Sequence, residues 1–548
     1  MLLSLFVLVA LYTLLFWAEV ARSYHHLHVV LLAFQYLLLL PVVARCLRSH
    51  KNSFSAAHIP IPNLTTIALL FALLALPLSW FSTRGLLNPD ESGYSFEART
   101  FLSGHLKAPP LIGAATKRVD TPDEVSFGNH VLRPDGWFPK FPPGWPAVLA
   151  LGYAVSMRWI VTPILGILSL LTIAAIGQEV FSGDAGLLAA FFAALSSFYL
   201  VNSIGMMSHA LCGLVSAAAC CFLFRGLHTG RLSFFAAMFA ALGYALQIRP
   251  YTAFVLAVVM TAAALWQTRN NSALAIRIFV LGCVIGGIAL GCVLLYNRLY
   301  TGKALLSPYA LAAGASAPSE LTLHPGRIWQ GIAQYGRQSF EESLIGMFPF
   351  AYLLAGYALF TDRERRSEVW MLAAIYLSLW VAYLAHPKGS GVLFGERFHF
   401  EGIFAVFLLA ARGAFLLVQR WNPSPKRVGA LLVALSMIQV SQQAAAAITV
   451  ARKGEPYRRI RAATSHAPAG IVFLHDGPGF VAKHFNLNQP DWPKAVHVFL
   501  VDAEPNRRNE WACRYGASTW TLAQYDPKTH SAIVTTQPAQ CGSPLNSR

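Results

Sequence analysis

The strongest constraint on this chain is a series of apolar runs, each close to twenty residues with at most one charged residue, recurring from the N-terminus to about residue 449. A helix needs about twenty residues to cross a hydrocarbon core about 30 Å thick, and runs of this length are too long for barrel strands. Thirteen runs are read, near residues 1–20, 27–44, 64–81, 160–178, 186–201, 206–224, 232–247, 251–266, 276–296, 344–360, 369–385, 403–418 and 428–449. Composition agrees. The chain is 55% hydrophobic and 12% charged, with a mean hydropathy of +0.50, where a soluble domain carries about 25% charged residues. The expected fold class is a polytopic α-helical membrane protein with a small C-terminal α/β domain outside the membrane.

The net charge of +17 does not point to nucleic acid. Its Lys and Arg residues are scattered through the loops between runs, where they set topology. The first run lacks a basic leader and a small-residue cleavage site, so a retained helix is expected. Arg45, Arg48 and Lys51 follow the second run. The positive-inside rule puts that loop in the cytoplasm and sends the third run outward. Arg225, Arg269, Arg363 and Arg420 then fall in inner loops; only the acidic loop 179–184 dissents. The expected location is the cytoplasmic (inner) membrane, with the N-terminus inside and the tail outside.

The domain organisation expected is two extra N-terminal helices over 1–60, a membrane core over 61–449 with a large outer loop at 84–145, and a soluble tail over 450–548. The tail has strand-like runs at 471–474, 495–501 and 519–522. Six of the eight cysteines (Cys46, Cys212, Cys220, Cys221, Cys283 and Cys292) lie in or beside apolar runs, where Cys acts as a small apolar residue. Cys513 and Cys541 stand alone in the tail, which suggests a disulfide and not a zinc site needing about four ligands.

The chemistry is expected at Asn88-Pro-Asp90-Glu91-Ser-Gly-Tyr94, directly after the third run. Adjacent carboxylates at the water end of a span are costly anchors and therefore candidates for function. The plainer alternative makes Asp90 the N-cap of a short amphipathic helix over 91–103. Lys140, within Trp137-Phe-Pro-Lys140-Phe-Pro-Pro-Gly144-Trp-Pro146, and His209, Arg249 and Arg397 all fall near outer ends of runs. Taken singly, Lys140 reads as an interfacial anchor, Arg249 as a snorkelling side chain and His209 as an interhelical hydrogen-bonding group. Together they describe a site where an anionic lipid headgroup meets acid–base chemistry. A second Pro-Asp-Glu at 122–124 lies mid-loop and ranks below the first. The chain has no GxxxxGK[ST] loop, HExxH or Asp-x-Asp pair.

Pro89-Asp-Glu-Ser-Gly-Tyr-Ser-Phe-Glu-Ala-Arg99 resembles the first-outer-loop motif of the GT-C superfamily of membrane glycosyltransferases, and in particular the family 39-like proteins, relatives of protein O-mannosyltransferases and aminoarabinose transferases. The resemblance continues through Lys140-Phe-Pro-Pro-Gly-Trp-Pro, Ser208-His209, Arg249-Pro250, Tyr296-Asn-Arg-Leu-Tyr-Thr-Gly302 and Gly395-Glu-Arg-Phe398. It implies transfer of a sugar from a polyprenyl-phosphate donor to a lipid, glycan or protein acceptor at the outer face. Asp90 would be the general base, and Glu91 would orient the acceptor or sugar, or hold a cation. Lys140, Arg249 and Arg397 would meet the departing phosphate. Tyr94, Arg99 and His209 would complete substrate binding. The resemblance fixes no cofactor, and a divalent metal is compatible with it. The alternative class is a transporter or flippase for an anionic lipid or solute. It would call for repeated halves and broken helices with midplane charges, whereas the polar residues here gather at one face.

Overall fold

The computed structural model describes residues 7, 9–10, 27–47, 59–111, 123–313, 325–384, 391–392 and 395–541. Among these, seven helices are long and apolar enough to cross a membrane: Leu64–Ser82, Arg158–Val180, His209–Thr229, Pro250–Gln267, Ser272–Thr301, Arg397–Trp421 and Pro425–Thr464. A further pair, Ile328–Gly346 and Ala351–Thr361, is apolar enough when taken together but is bent by 109°, the form of a broken span or a re-entrant loop. The count of thirteen is therefore not reproduced among the described residues, and the differences have local causes. The run at 186–201 folds as two helices, Gly183–Leu195 and Ser197–Asn202, broken at Ser196. The Ser196 hydroxyl donates to the Gly346 carbonyl at 2.7 Å and accepts from the Tyr199 amide, which caps the second piece. The run at 344–360 is interrupted where a π-turn, Glu342–Gly346, gives way to Phe350 at φ 66°. The run at 1–20 lies almost wholly outside the described residues.

Helix Arg397–Trp421 is the most enclosed of the crossings. Residues 403–411 are buried all the way round, as expected for a helix apolar on every face and surrounded by others. Gly413 lets the Leu354 carbonyl approach so closely that a Cβ there would lie 1.9 Å from it.

On the face bearing Asp90, residues 84–145 are not an open loop. They hold helix Pro89–Leu102 and an antiparallel hairpin, His130–Arg133 with Gly136–Pro139, in which Val131 faces Phe138. Helix Gly144–Ala154 follows, begun by the Pro-Pro-Gly-Trp-Pro run.

The last apolar run does not stop near residue 449. Helix Pro425–Thr464 has 40 residues, hence a length of about 60 Å, twice the hydrocarbon thickness. Its final turns carry the chain into a four-stranded sheet ordered His497–Val501, Gly470–Leu474, Thr519–Asp526, Ser531–Pro538. The first three strands are parallel and the fourth closes an antiparallel hairpin. The fourth was not read from sequence: it is a mostly exposed edge strand, with little apolar alternation to reveal it. A disulfide joins Cys513 to Cys541.

The loop and the tail share one core. Phe96, Phe127 and Trp137 pack in the same cluster as Val472, Phe473 and Trp511. Glu124, of the second Pro-Asp-Glu run, pairs with Arg507 at 3.0 Å and so fastens tail to loop.

With a long final helix between them, Lys426 and Lys494 should lie on opposite sides of the membrane; both are exposed. Single cysteines at 426 and 494, on a background lacking other free thiols, should react with an impermeant maleimide from opposite sides. Labelling of both from one side would contradict the reading of Pro425–Thr464 as a crossing.

Candidate active site

The motif helix starts two residues earlier than expected and is capped differently. Asn88, extended at φ −142°, accepts the Asp90 amide on its side chain, and Pro89 occupies the first helical position, where its missing N–H costs nothing. Asp90 is therefore not the cap. It lies in the first turn, near the positive end of the helix. Its carboxylate is one-fifth exposed. One oxygen accepts from the Asn129 amide at 2.9 Å and the other from the Arg397 guanidinium at 3.2 Å.

Nearly every other residue of the motif is occupied in holding the helix. Glu91 is fully buried, its two oxygens accepting the Leu87 and Met206 amides, each at 2.9 Å. Burial pushes this acid up to about 7, opposed by those amides and by Lys453. The Ser92 hydroxyl accepts the Asn486 amide from the tail. Gly93 leaves room for Phe141, which would meet a Cβ there at 2.6 Å. Tyr94 stacks on Phe141 with ring centres 4.1 Å apart, and its hydroxyl bonds Ser208 at 3.1 Å.

Glu97 is also buried. The Tyr296 hydroxyl lies 3.0 Å from its carboxyl and 2.6 Å from the Phe141 carbonyl. One hydroxyl hydrogen serves one acceptor, and the shorter contact takes it. A protonated Glu97 then donates to Tyr296, consistent with burial pushing this acid well above the carboxylate range. The chain Glu97–Tyr296–Phe141 fixes the segment that bears Lys140.

The cations expected at the site are brought together, with one exception. The Lys140 ammonium lies 5.2 Å from the Tyr309 ring centre, and the Lys140 amide bonds the carbonyl of Asn129, the residue that donates to Asp90. Arg249 and Arg397 both lie beside the Phe398 ring, at 5.6 and 5.4 Å. Both also act electrostatically on Tyr94 together with Asp90, so the four share one neighbourhood. His209 sits behind them, fully buried, with Nδ1 2.8 Å from Glu401; Arg249 reaches the same carboxylate oxygen at 3.1 Å. Arg99 stands apart, nine residues along the helix from Asp90, with its Nε donating to the Ser95 carbonyl at 3.3 Å.

Sequence reading missed three residues that shape the site. Glu401 carries the charge that fixes Arg249 and His209; a lone carboxylate at the head of an apolar run was the available signal. Asn129, at φ 69°, links Asp90 to Lys140, and its Gly128-Asn129 turn was legible only as a turn. His484 of the tail is close enough to Asp90 to feel its charge. Among the described residues, no three His, Cys, Asp or Glu side chains approach a metal-binding group.

Residues 140–296 match the family model described as dolichyl-phosphate-mannose-protein mannosyltransferase. The fold is similar to ArnT from Cupriavidus metallidurans bound to undecaprenyl phosphate, at 13% identity and a TM-score of 0.53, over 88% of this chain and 99% of that one. It is also similar to the archaeal oligosaccharyltransferase AglB from Archaeoglobus fulgidus, in complex with an inhibitory peptide and a dolichol-phosphate, at 12% identity and a TM-score of 0.50, over 88% and 75% of the two chains. No curated protein sequence matches the chain. The comparisons thus show a fold like that of these two proteins over most of the chain, and a family-model match over less than a third of it. The matched segment runs from Lys140 to Tyr296, so it includes Lys140, His209 and Arg249 but not the motif helix that carries Asp90.

A neutral Glu97 makes a definite prediction. Glu97→Gln, which also presents a donor to Tyr296, should keep the unfolding temperature of the detergent-solubilised protein within about 2 °C, whereas Glu97→Ala should lower it by several degrees. A drop as large for Gln as for Ala would mean that Glu97 is ionised.

Proposed function

We propose that the chain transfers a sugar from a polyprenyl-phosphate-linked donor to an acceptor at the outer face of the cytoplasmic membrane, with Asp90 as general base. The observation that carries this reading is the setting of Asp90. Its carboxylate, one-fifth exposed, lies against Arg397 at 3.2 Å, in the neighbourhood shared with Arg249 and beside the segment that carries Lys140.

In the reaction, an Asp90 oxygen takes the proton of the acceptor hydroxyl as that oxygen attacks the anomeric carbon. The bond from that carbon to the phosphate oxygen breaks, and its electron pair leaves with the lipid phosphate. Lys140, Arg249 and Arg397 supply fixed positive charge where negative charge develops, and guanidinium pairs are suited to phosphate oxygens. Arg397 has a further part: paired to Asp90 in the free protein, it holds the carboxylate in position until substrate arrives. Glu91 orients Asp90 through the backbone and does not touch substrate. Tyr94, held by Phe141 and Ser208, walls the sugar-binding side. The outer-face orientation is supported by the basic loops read from sequence and by the tail disulfide, a bond favoured in oxidising compartments.

Because Asn88 caps the helix, Asp90→Asn leaves the cap in place and removes the charge and the proton-accepting oxygen. Turnover in vitro from a defined polyprenyl-phosphate sugar should fall by at least about 10²-fold, with gel filtration and donor binding unchanged. Lys140→Ala should instead raise the KM for donor. A folded Asp90→Asn protein transferring at near wild-type rate would overturn the assignment of the base.

A further inference from the structure

Away from Asp90, the same face of the protein carries a second concentration of positive charge, paired with no carboxylate among the described residues. Arg84 lies over the Trp80 ring, 3.6 Å from its centre, and Trp80 meets Trp159 edge to face at 5.3 Å. The neighbouring Arg158 donates to the Thr83 carbonyl at 3.2 Å and lies over the Tyr153 ring at 5.3 Å. Tyr153 bonds the Ser95 hydroxyl, and Arg99 donates to the Ser95 carbonyl at 3.3 Å. Arg461, from the end of the long final helix, completes the group: Arg158, Arg99 and Arg84 are its cationic neighbours. Four guanidiniums from four separate chain segments thus converge, and among the described residues none of them forms an ion pair with a carboxylate. The Arg158 Nε is buried and has no hydrogen-bond partner. Burial and Arg158 both disfavour the charge on Arg99.

Like charges held together without a counter-charge are costly, and a guanidinium cluster matches phosphate oxygens. The position of the cluster says where the phosphate comes from. It sits where helix Leu64–Ser82 ends and helix Arg158–Val180 begins, at the level of a Trp pair of the kind that marks the membrane interface. Beside it, Phe81, Leu102, Leu151 and Val155 expose half or more of their surface. Apolar surface of that kind faces acyl chains, with the arginines at headgroup depth.

We infer that Arg84, Arg99, Arg158 and Arg461 form a binding site for the phosphate of an anionic membrane lipid, separate from the site at Asp90. Arg99 is about 13 Å along its helix axis from Asp90, and the buried side chains of Tyr94, Phe96 and Ala98 intervene. One headgroup here bridges a membrane helix, the motif helix and the tail, so lipid occupancy braces the assembly that holds Asp90.

The test is native mass spectrometry of the full chain in detergent, with phosphatidylglycerol or phosphatidylcholine added. Phosphatidylglycerol should be retained by the wild type and bound at least tenfold more weakly, in round terms about tenfold to a hundredfold, by Arg84→Gln/Arg158→Gln/Arg461→Gln. Phosphatidylcholine should bind weakly to both, and excess inorganic phosphate should leave the retained lipid in place. If the triple variant does not fold, the exposed Arg461→Gln alone should weaken retention about fivefold. Equal phosphatidylglycerol retention by wild type and folded variant would overturn the inference. Displacement of the lipid by inorganic phosphate would overturn the lipid as the source of the anion.

Discussion

The contact on which the rest of the site depends is the one Glu91 makes with the backbone. Its two carboxylate oxygens take the amides of Leu87 and Met206, one just before the motif helix and one just before helix His209–Thr229. Gly205 is bare where a Cβ would come within 2.4 Å of the Glu91 oxygen. Fully buried and holding both amides, this carboxylate is shut away from solvent. It fixes the entry of the helix, and hence the direction in which Asp90 points. Two adjacent acidic residues thus have opposite settings, one buried and one partly exposed, set by which side of one helical turn each occupies.

Around that anchor, the exterior of the protein is built as a single unit. The motif helix is gripped by Phe141, two residues past the hairpin, by the membrane helices through Tyr296 and Ser208, and by the tail through Asn486. The tail helix approaches the loop so closely that a Cβ on Gly85 would meet the Gly454 carbonyl at 2.5 Å. Pre-arranged charge is effective because it need not reorganise during reaction. Here the cost of arranging it is met by packing among Phe96, Trp137 and the tail strands, remote from the reacting atoms.

Much of this was legible in the sequence, where the signals are local. Hydropathy pointed to the membrane class, and the Asp-Glu motif, with the cations near span ends, picked out Asp90, Arg249 and Arg397, which the fold brings into one neighbourhood. The cap was misread although the signal was present: Pro89 belongs at the first helical position, which makes Asn88 the cap. The count of thirteen crossings is not reproduced among the described residues, because hydropathy does not distinguish a crossing from a short buried helix such as Gly183–Leu195, or from a run broken by a π-turn. Glu401 escaped because its meaning lies in His209, 192 residues away. The core shared by loop and tail joins Trp137 to Trp511, a pairing that no local pattern encodes.

The most direct test of the account is an experimental structure of the full chain with a polyprenyl phosphate bound. The account predicts the phosphate within about 3 Å of the Arg249 or Arg397 guanidinium, with Lys140 facing it and an Asp90 oxygen open toward the acceptor side. A phosphate bound elsewhere, with Asp90 still locked between Asn129 and Arg397 and Arg249 still turned to Glu401, would contradict it.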